Sequence, residues 1–450
     1  VSELPKGWYR ITLKEECTSI KGKKPKSLVI EQSESLVPYV DIKAFEKGIF
    51  EKFAEFNSGV LAQKDDTLMV WDGARSGLVG NGVKGVIGST LVKITAKYSN
   101  TRYLHYFLKL QFDHINSNTK GTGIPHVDPA VLWSIPYPVA PLNEQIRIAN
   151  KLDSILTKVD KAQARLNKIP AILKRFRQSV LAAATSGELT KSTFTSSEWE
   201  SVKLIDIVEN KPRNGKSPKG VDFDTGVKNL TLSAITPGYF VENKYKFVDL
   251  DVPTDSHLWL KNQDILIQRA NSIEYVGVSA LYEGEDDHYI YPDLIMKCRA
   301  NARVLSKYLY YALSSEPVRK YFRDNATGTT GNMPKINQTV VSAAPINLPQ
   351  IDEQKIIVNK VERLFKKADK LEQQYLDAKA RLDRLTQSIL AKAFRGELVP
   401  QDPNDEPAEQ LLERILKERL SQQQKADKPK KTTKKRLIKA KAKAKVADKG

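Results

Sequence analysis

Residues Glu144–Leu189 read EQIRIANKLDSILTKVDKAQARLNKIPAILKRFRQSVLAAATSGEL, and residues Glu353–Leu398 read EQKIIVNKVERLFKKADKLEQQYLDAKARLDRLTQSILAKAFRGEL. The two stretches align without a gap at a constant offset of 209 residues. Glu144-Gln145 returns as Glu353-Gln354, Asn150-Lys151 as Asn359-Lys360, Asp160-Lys161 as Asp369-Lys370, and Gly187-Glu188-Leu189 as Gly396-Glu397-Leu398. Upstream, Pro125 and Pro334 keep the same register. A period this long lies far above those of solenoid repeats and means two similar units in one chain.

Within the first copy, Ile148, Leu152, Ile155, Val159, Ala162, Leu166, Ile169, Leu173, Phe176 and Val180 alternate spacings of four and three, which is a heptad seam. The second copy repeats it at Ile357, Val361, Leu364, Ala368, Leu371, Tyr375, Ala378, Leu382, Leu385 and Ile389. Asn143 and Asp352 stand where N-caps are expected, and Gly187 and Gly396 where left-handed C-terminal caps are expected. A straight helix along either seam would be about 50 Å long. A helix with one apolar stripe needs a partner stripe, and the other copy is the nearest candidate. The pattern predicts two long helices packed antiparallel, with a globular head before each. Pro170 breaks the symmetry, because Lys379 occupies its place in the second copy. A proline inside a helix removes a hydrogen bond and clashes with the preceding turn, so the first helix is expected to bend near Ile169.

At 450 residues the chain has room for two or three domains, and 40% hydrophobic with 8% aromatic residues is enough to bury real cores. The net charge is +19, and twelve Lys/Arg against two Asp fall between Lys425 and Gly450. That tail reads as a disordered extension able to add salt-sensitive affinity for a polyanion, and the remaining charge hints at nucleic acid. Cys17 and Cys298 form neither a metal spacing nor a disulfide framework. With no signal peptide and no apolar run of spanning length, the expectation is a soluble, intracellular protein.

The heads, 1–142 and 190–351, read as mixed α+β. Asp66–Trp71 and Asp264–Gln268 are buried strands, and Gly77–Gly80 and Val276–Ala280 are turns leading into strands. Short helices follow near Tyr103–Phe112 and Ser306–Phe322. Each head ends in a glycine-threonine loop, Lys120-Gly-Thr-Gly-Ile-Pro-His126 and Thr327-Gly-Thr-Thr-Gly-Asn-Met-Pro-Lys335. The heads diverge between these landmarks while the spacer helices, 143–189 and 352–398, agree. An extension at 399–424 and the basic tail at 425–450 complete the chain.

Catalytic motifs are matched only by letter. Gly80-Asn-Gly82-Val-Lys-Gly85 is followed by a strand pattern, whereas a dinucleotide phosphate needs a helix N-terminus there. Asn214-Gly-Lys-Ser217 lacks the first glycine of a phosphate loop and runs into Pro218. Pro292-Asp293 with Lys297 lacks the spacing of a metal-dependent nuclease and reads as turn and strand. His105, His114, His126, His257 and His288 form no metal-ligand pair, and no Asp/Asn-Pro-Pro-aromatic methylation signature is present. No catalytic residue, metal ligand or cofactor site is expected.

The remaining polar chemistry suits nucleic acid. Lys21, Lys23, Lys24 and Lys26 form a basic loop near the first strand, and Lys211, Arg213, Asn214, Lys216 and Lys219 occupy the corresponding place in the second head. Such residues fit phosphate contacts, which position a protein without specifying sequence. Trp71-Asp-Gly-Ala-Arg75-Ser76-Gly77 and Gln268-Arg269-Ala-Asn271-Ser272 follow the matched strands, and Arg and Asn can read guanine and adenine bidentately. The candidate DNA-binding residues are Lys21, Lys23, Lys24, Asp72, Arg75, Ser76, Lys120, Thr122 and His126 in the first head. In the second they are Arg213, Asn214, Lys216, Arg269, Asn271, Ser272, Thr330, Asn332 and Lys335. Those expected at the helix–helix interface are Ile148, Leu152, Ile155, Val159, Leu166 and Leu173, with Ile357, Val361, Leu364, Leu371, Leu382 and Ile389.

An ordered set of segments carries a family resemblance: Leu4-Pro-Lys-Gly-Trp8, Trp71–Gly77, Gly-Asn-Met-Pro-Lys-Ile-Asn337, Pro-Leu-Asn-Glu-Gln145, Glu353-Gln354, both Gly-Glu-Leu ends, and Pro400-Gln-Asp-Pro-Asn-Asp-Glu-Pro407. Together they span nearly all of residues 1–420, and the chain resembles the DNA specificity subunit of type I restriction-modification enzymes. The resemblance implies two target-recognition domains, each similar to the recognition domain of DNA adenine methyltransferases and each binding one half of a split, asymmetric site on double-stranded DNA. It implies an antiparallel two-helix coiled coil as a ruler between them, and pseudo-twofold symmetry. Modification subunits carrying S-adenosylmethionine, two of them, and restriction subunits using ATP and Mg would be the partners and would supply the chemistry. A stand-alone DNA-cleaving enzyme and a coiled-coil scaffold for protein partners are the competing readings.

Overall fold

The computed structural model describes residues 3–194, 198–328 and 333–426, with side chains described through 417. Thr330, Asn332 and the basic tail beyond Ala426 lie outside the described residues. The chain divides into two compact units, residues 1–164 with 379–450, and residues 165–378. Both are mixed α+β. Among the described residues no helix is long and apolar enough to cross a membrane.

In the first unit, a four-stranded antiparallel sheet runs in the order Cys17–Lys21, Leu91–Ala96, Thr67–Val70, Val79–Asn81. Strand Thr67–Val70 is buried on both faces, which is why it reads as an unbroken apolar run. One face packs on helix Thr101–Leu110 around Met69, Val92, Ile94, Tyr103 and Phe107. The other covers a smaller core of Val40, Ala44, Leu68, Val70 and Ile87, shared with a second sheet. A two-stranded ribbon pairs Tyr9–Thr12 with Pro136–Val139 and brings the two ends of the head together.

The second unit repeats this plan. Its sheet runs Arg213–Asn214, Ile295–Cys298, Ile265–Gln268, Ser279–Leu281, and its ribbon pairs Glu200–Lys203 with Pro345–Leu348. The hydrogen bonds define residue equivalences that no ungapped alignment reveals. Leu13 N donates to Ile135 O as Leu204 N donates to Ala344 O, an offset of 191 on the donor side and 209 on the acceptor side. Trp8 meets Tyr103 edge-on at 6.5 Å and Trp199 meets Tyr308 at 6.4 Å, with the same interplanar angle of 76°. The heads are thus alike in frame and different in side chains and loop lengths.

The expected long helix of the first copy is two helices, Leu142–Leu166 and Ile169–Thr185, whereas the second copy is one 44-residue helix, Ile351–Phe394. The interruption falls at Asn167-Lys168, slightly ahead of the expected Ile169, because Pro170 is tolerated only in the first turn of the helix that restarts. Lys168 itself keeps a helical φ of −82° and ψ of −22°. Asn143 and Asp352 are not N-caps. The helices begin one residue earlier, at Leu142 and Ile351, and Gln145 N and Gln354 N close their first turns on Pro141 O and Gln350 O. Gly187 (φ 82°) and Gly396 (φ 76°) do take the left-handed conformation that ends a helix. The helix expected at Ser306–Phe322 is two, Ser306–Ser314 and Glu316–Asp324, because Pro317 starts the second. The helix expected at Tyr103–Phe112 starts earlier and also divides, into Thr101–Leu110 and Phe112–Ser117.

The seam is buried where the helices meet a head. In the first unit Ile148, Leu152, Leu390, Ala393 and Phe394 share one core, with Ile389 packed against it. In the second, Val180, Leu181, Ala184, Ile357, Val358 and Val361 do so. There Arg177 binds Asp369 at 2.5 Å and Glu372 at 2.9 Å, and Lys360 donates to Leu189 O. Leu173 is also buried; Ile155, Val159, Leu166, Leu364 and Leu382 are half-buried, and Leu371 is 53% exposed, so the seam does not cover every expected position.

Candidate nucleic-acid interface

Each four-stranded sheet ends in a loop cluster built from three chain segments. In the first head, Thr67–Val70 leads into Trp71–Gly77, whose Gly73 N donates to Pro125 O and whose Trp71 O accepts from Val127 N. The glycine-threonine loop is a hairpin closed by reciprocal bonds between Lys120 and His126. In the second head Asn271 N donates to Pro334 O, Arg269 O accepts from Ile336 N, and Thr327 and Lys335 exchange the same pair of bonds. Trp71 therefore corresponds to Arg269, Gly73 to Asn271, Lys120 to Thr327 and His126 to Lys335. The frame is common, and most of the side chains it presents differ.

The third segment is the outer strand of the sheet. Gly22 N donates to Leu91 O and Lys23 N to Ile87 O; Gly215 N donates to Ile295 O and Lys216 N to Tyr291 O. A Cβ on Gly22 would lie 2.2 Å from Gly88 O, and one on Gly215 would lie 1.8 Å from Tyr291 O, so no side chain fits at either position. Each glycine turns the chain into an exposed basic loop, Lys23, Lys24 and Lys26 in one head and Lys216 and Lys219 in the other. The shared Gly-Lys dipeptide was the available sequence signal for this equivalence.

In the first head Asp72 gathers the cluster: it lies 3.0 Å from Lys21 and 2.7 Å from His126 Nδ1. Lys120 binds Asp128 at 3.0 Å, and this contact holds the Asp128 carboxyl below its ordinary pKa. Arg75 is 57% exposed and meets Glu46 at 3.0 Å. Thr122 stands exposed on the hairpin. Ser76 is a correction. It is fully buried, and its hydroxyl lies within hydrogen-bond reach of Trp71 O, Gly73 O and Pro125 O, so it braces the loop and has no surface for a ligand.

In the second head Arg269 reaches Asp293 O at 3.4 Å while its Nε is buried without a hydrogen-bond partner. Asn271 Oδ1 accepts from Ser272 N, Ser272 is exposed, and Lys335 is exposed on its hairpin. Asp293 bonds Ser217 and Lys297 binds Asp264 at 3.1 Å, so the residues of the apparent nuclease motif have separate partners.

Sequence reading marked the Glu-Gln pairs only as helix starts. They are buried anchors. Gln145 accepts from Asn100 N (2.7 Å) and donates to Ala140 O (2.7 Å); Gln354 accepts from Leu305 N (2.8 Å) and donates to Pro349 O (2.8 Å). Each amide fastens the start of a spacer helix to the head's last strand and to the start of the head's helix. Glu144 accepts from Trp8 Nε1 at 3.0 Å, and burial raises its pKa against that bond. Glu353 accepts from Thr190 at 2.5 Å.

Two regions, residues 5–171 and 196–378, match the family model described as type I restriction modification DNA specificity domain. The EcoKI specificity subunit of Escherichia coli K12 is 36% identical over 70% of this chain and 71% of its own length, and the StySPI specificity subunit of Salmonella potsdam is 35% identical over 72% and 73%. The MjaVIII specificity subunit of Methanocaldococcus jannaschii is 29% identical over 80% and 87%. The fold resembles a solved chain of a type I R-M system, with TM-score 0.66 and 18% identity over 88% of this chain and 100% of that one. The chain belongs to the type I restriction-modification DNA specificity family, as a specificity subunit that recognises DNA while catalysis lies in other subunits.

Proposed function

We propose that each head reads one half of a bipartite, asymmetric site on double-stranded DNA through its strand-end loop cluster. The supporting observation is the pair of matched frames: the same backbone hydrogen bonds hold Trp71, Asp72, Gly73 and His126 in one head and Arg269, Ala270, Asn271 and Lys335 in the other. Equal scaffolds carrying different side chains suit two readers of different sequences. Arg75, Arg269 and Asn271 are the proposed base contacts, with Thr122, His126 and Lys335 flanking them. Lys21, Lys23, Lys24, Lys120, Arg213, Asn214 and Lys216 are the proposed phosphate contacts. Asp72 orients Lys21 and His126.

The proposed domains are heads at 1–142 and 190–351 and spacers at 143–189 and 352–398. The spacers form an antiparallel coiled coil with pseudo-twofold symmetry that fixes the gap between half-sites. Two modification subunits, bringing S-adenosylmethionine, and restriction subunits, bringing ATP and Mg, dock on this scaffold, which itself needs no cofactor. Arg75→Ala tests the base assignment in the assembled complex. Loss of discrimination by about 1–3 kcal/mol at one base pair of one half-site is expected. An equal loss for every DNA sequence would reassign Arg75 to the backbone.

A further inference from the structure

The two sheets differ at their outer strands. Cys17 pairs with Ala96 and Ile20 with Lys93 in the first head. At the equivalent points of the second, Val208 bridges Ala300 and Arg213 pairs with Lys297. Two residues lie between the first pair of positions and four between the second, so the second head carries two extra residues within 209–212. An insertion of this kind bulges an edge strand away from its neighbour. Here it opens a cavity of about 220 Å³ lined by Glu209, Asn210, Lys211, Arg213, His257, Asp264, Lys297, Cys298 and Arg299.

Four cations, Lys211, Arg213, Lys297 and Arg299, stand against two carboxylates, exposed Glu209 and Asp264, so the lining is net cationic. Asp264 is buried and is already matched by Lys297 at 3.1 Å and Arg299 at 2.8 Å. Lys211 and Arg213 are exposed, and among the described residues neither has an ion-pair partner. His257 sits beside them with its pKa lowered by burial and by Arg213, Lys297 and Lys216. No Phe, Tyr or Trp side chain lines the cavity, so it lacks the large rings on which bases stack. In the first head the register puts Ile20 in the place of Arg213 and Thr95 in the place of Arg299. The cavity adjoins the Gly215-Lys216 loop, already assigned to phosphate contacts.

We propose that the bulged outer strand of the second head is a seat for one phosphodiester of the DNA backbone, held by Lys211 and Arg213 over Arg299 and His257, with no counterpart in the first head. The proposal rests on the reading of the second head as a DNA reader.

The test uses the complete complex with its modification subunits, on duplexes carrying the site found by mapping methylated adenines. Affinity is measured against salt for the native chain and for the double variant Lys211→Ala, Arg213→Ala. The slope of log K against log salt is expected to shrink by about 0.9, the contribution of one neutralised phosphate. The methylated sequence is expected to stay the same. A scan of single methylphosphonates through the second half-site should find one position that weakens the native complex and leaves the double variant unaffected. An unchanged salt slope, or a changed base preference in the second half-site, overturns the seat. Competition by inorganic phosphate at millimolar concentration, with no methylphosphonate position responding, also overturns it in favour of a free-anion site. Failure of the parent reading looks different: exchanging residues 190–351 would then leave the methylated motif unaltered.

Discussion

Gln145 and Gln354 each hold three segments together with one amide. Alanine at Gln145 would strand Asn100 N–H and Ala140 C=O, both of which it now satisfies. A buried group without its partner costs about 1–3 kcal/mol. Gln145→Ala should therefore lower the stability of the first unit by roughly 2–4 kcal/mol in denaturant unfolding, and Gln354→Ala should do the same to the second. A change below about 0.5 kcal/mol, the usual range of an ordinary surface substitution, would show that the anchor is not structural. His105 gives the first unit a pH signature. It is 8% exposed, and burial lowers its pKa to about 4. The folded state thus binds its proton less readily than the unfolded chain, so stability is full above about pH 6.5. It falls as pH drops toward 4. A shift of this size corresponds to about 3 kcal/mol. His105→Phe should flatten that part of the acid-unfolding curve, and an unchanged curve in the variant would assign the acid sensitivity to other groups.

At the scale of elements, the spacer helices and the heads were legible to different degrees. The offset of 209 holds through the spacers because any insertion short of a whole heptad rotates the apolar face away from the seam. In the heads the offset drifts: 191 at Leu13 and Leu204, 193 at Gly22 and Gly215, 209 at Pro125 and Pro334. Loops absorb insertions at little cost, so the frame survives in backbone hydrogen bonds after the letters have diverged. The strands at Thr67–Val70 and Ile265–Gln268 were readable from their apolar runs. The role of Ser76 was not, because exposure and burial of a serine leave the same letter. Nor could the helix starts be placed, since Asn143 and Asp352 suit a first turn as well as a cap. The break at Asn167-Lys168 was legible, because proline acts through covalent geometry alone. Lys379→Pro should impose a comparable break on the continuous helix Ile351–Phe394 and cost about 3 kcal/mol. Pro170→Lys should cost under 1 kcal/mol, because proline in a first turn forfeits little. Circular dichroism with thermal unfolding distinguishes the two, and equal losses would mean that the two spacer arms bear the same constraint.

For the whole molecule, the account separates reading from spacing. Insertion of one heptad in each spacer adds about 10 Å of helix without rotating the seam. It should lengthen the unspecified gap and leave both half-sites as they were, as read by mapping methylated adenines in cells that express the variant with its modification subunits. The central claim is that each head reads its own half-site, and the most direct measurement exchanges one head. Residues 1–140 are replaced by the first head of a relative with a different specificity, and the methylated motif is mapped genome-wide. The account predicts that one half of the motif becomes the relative's while the other half and the gap stay the same. Change in both halves, or in neither, would contradict it.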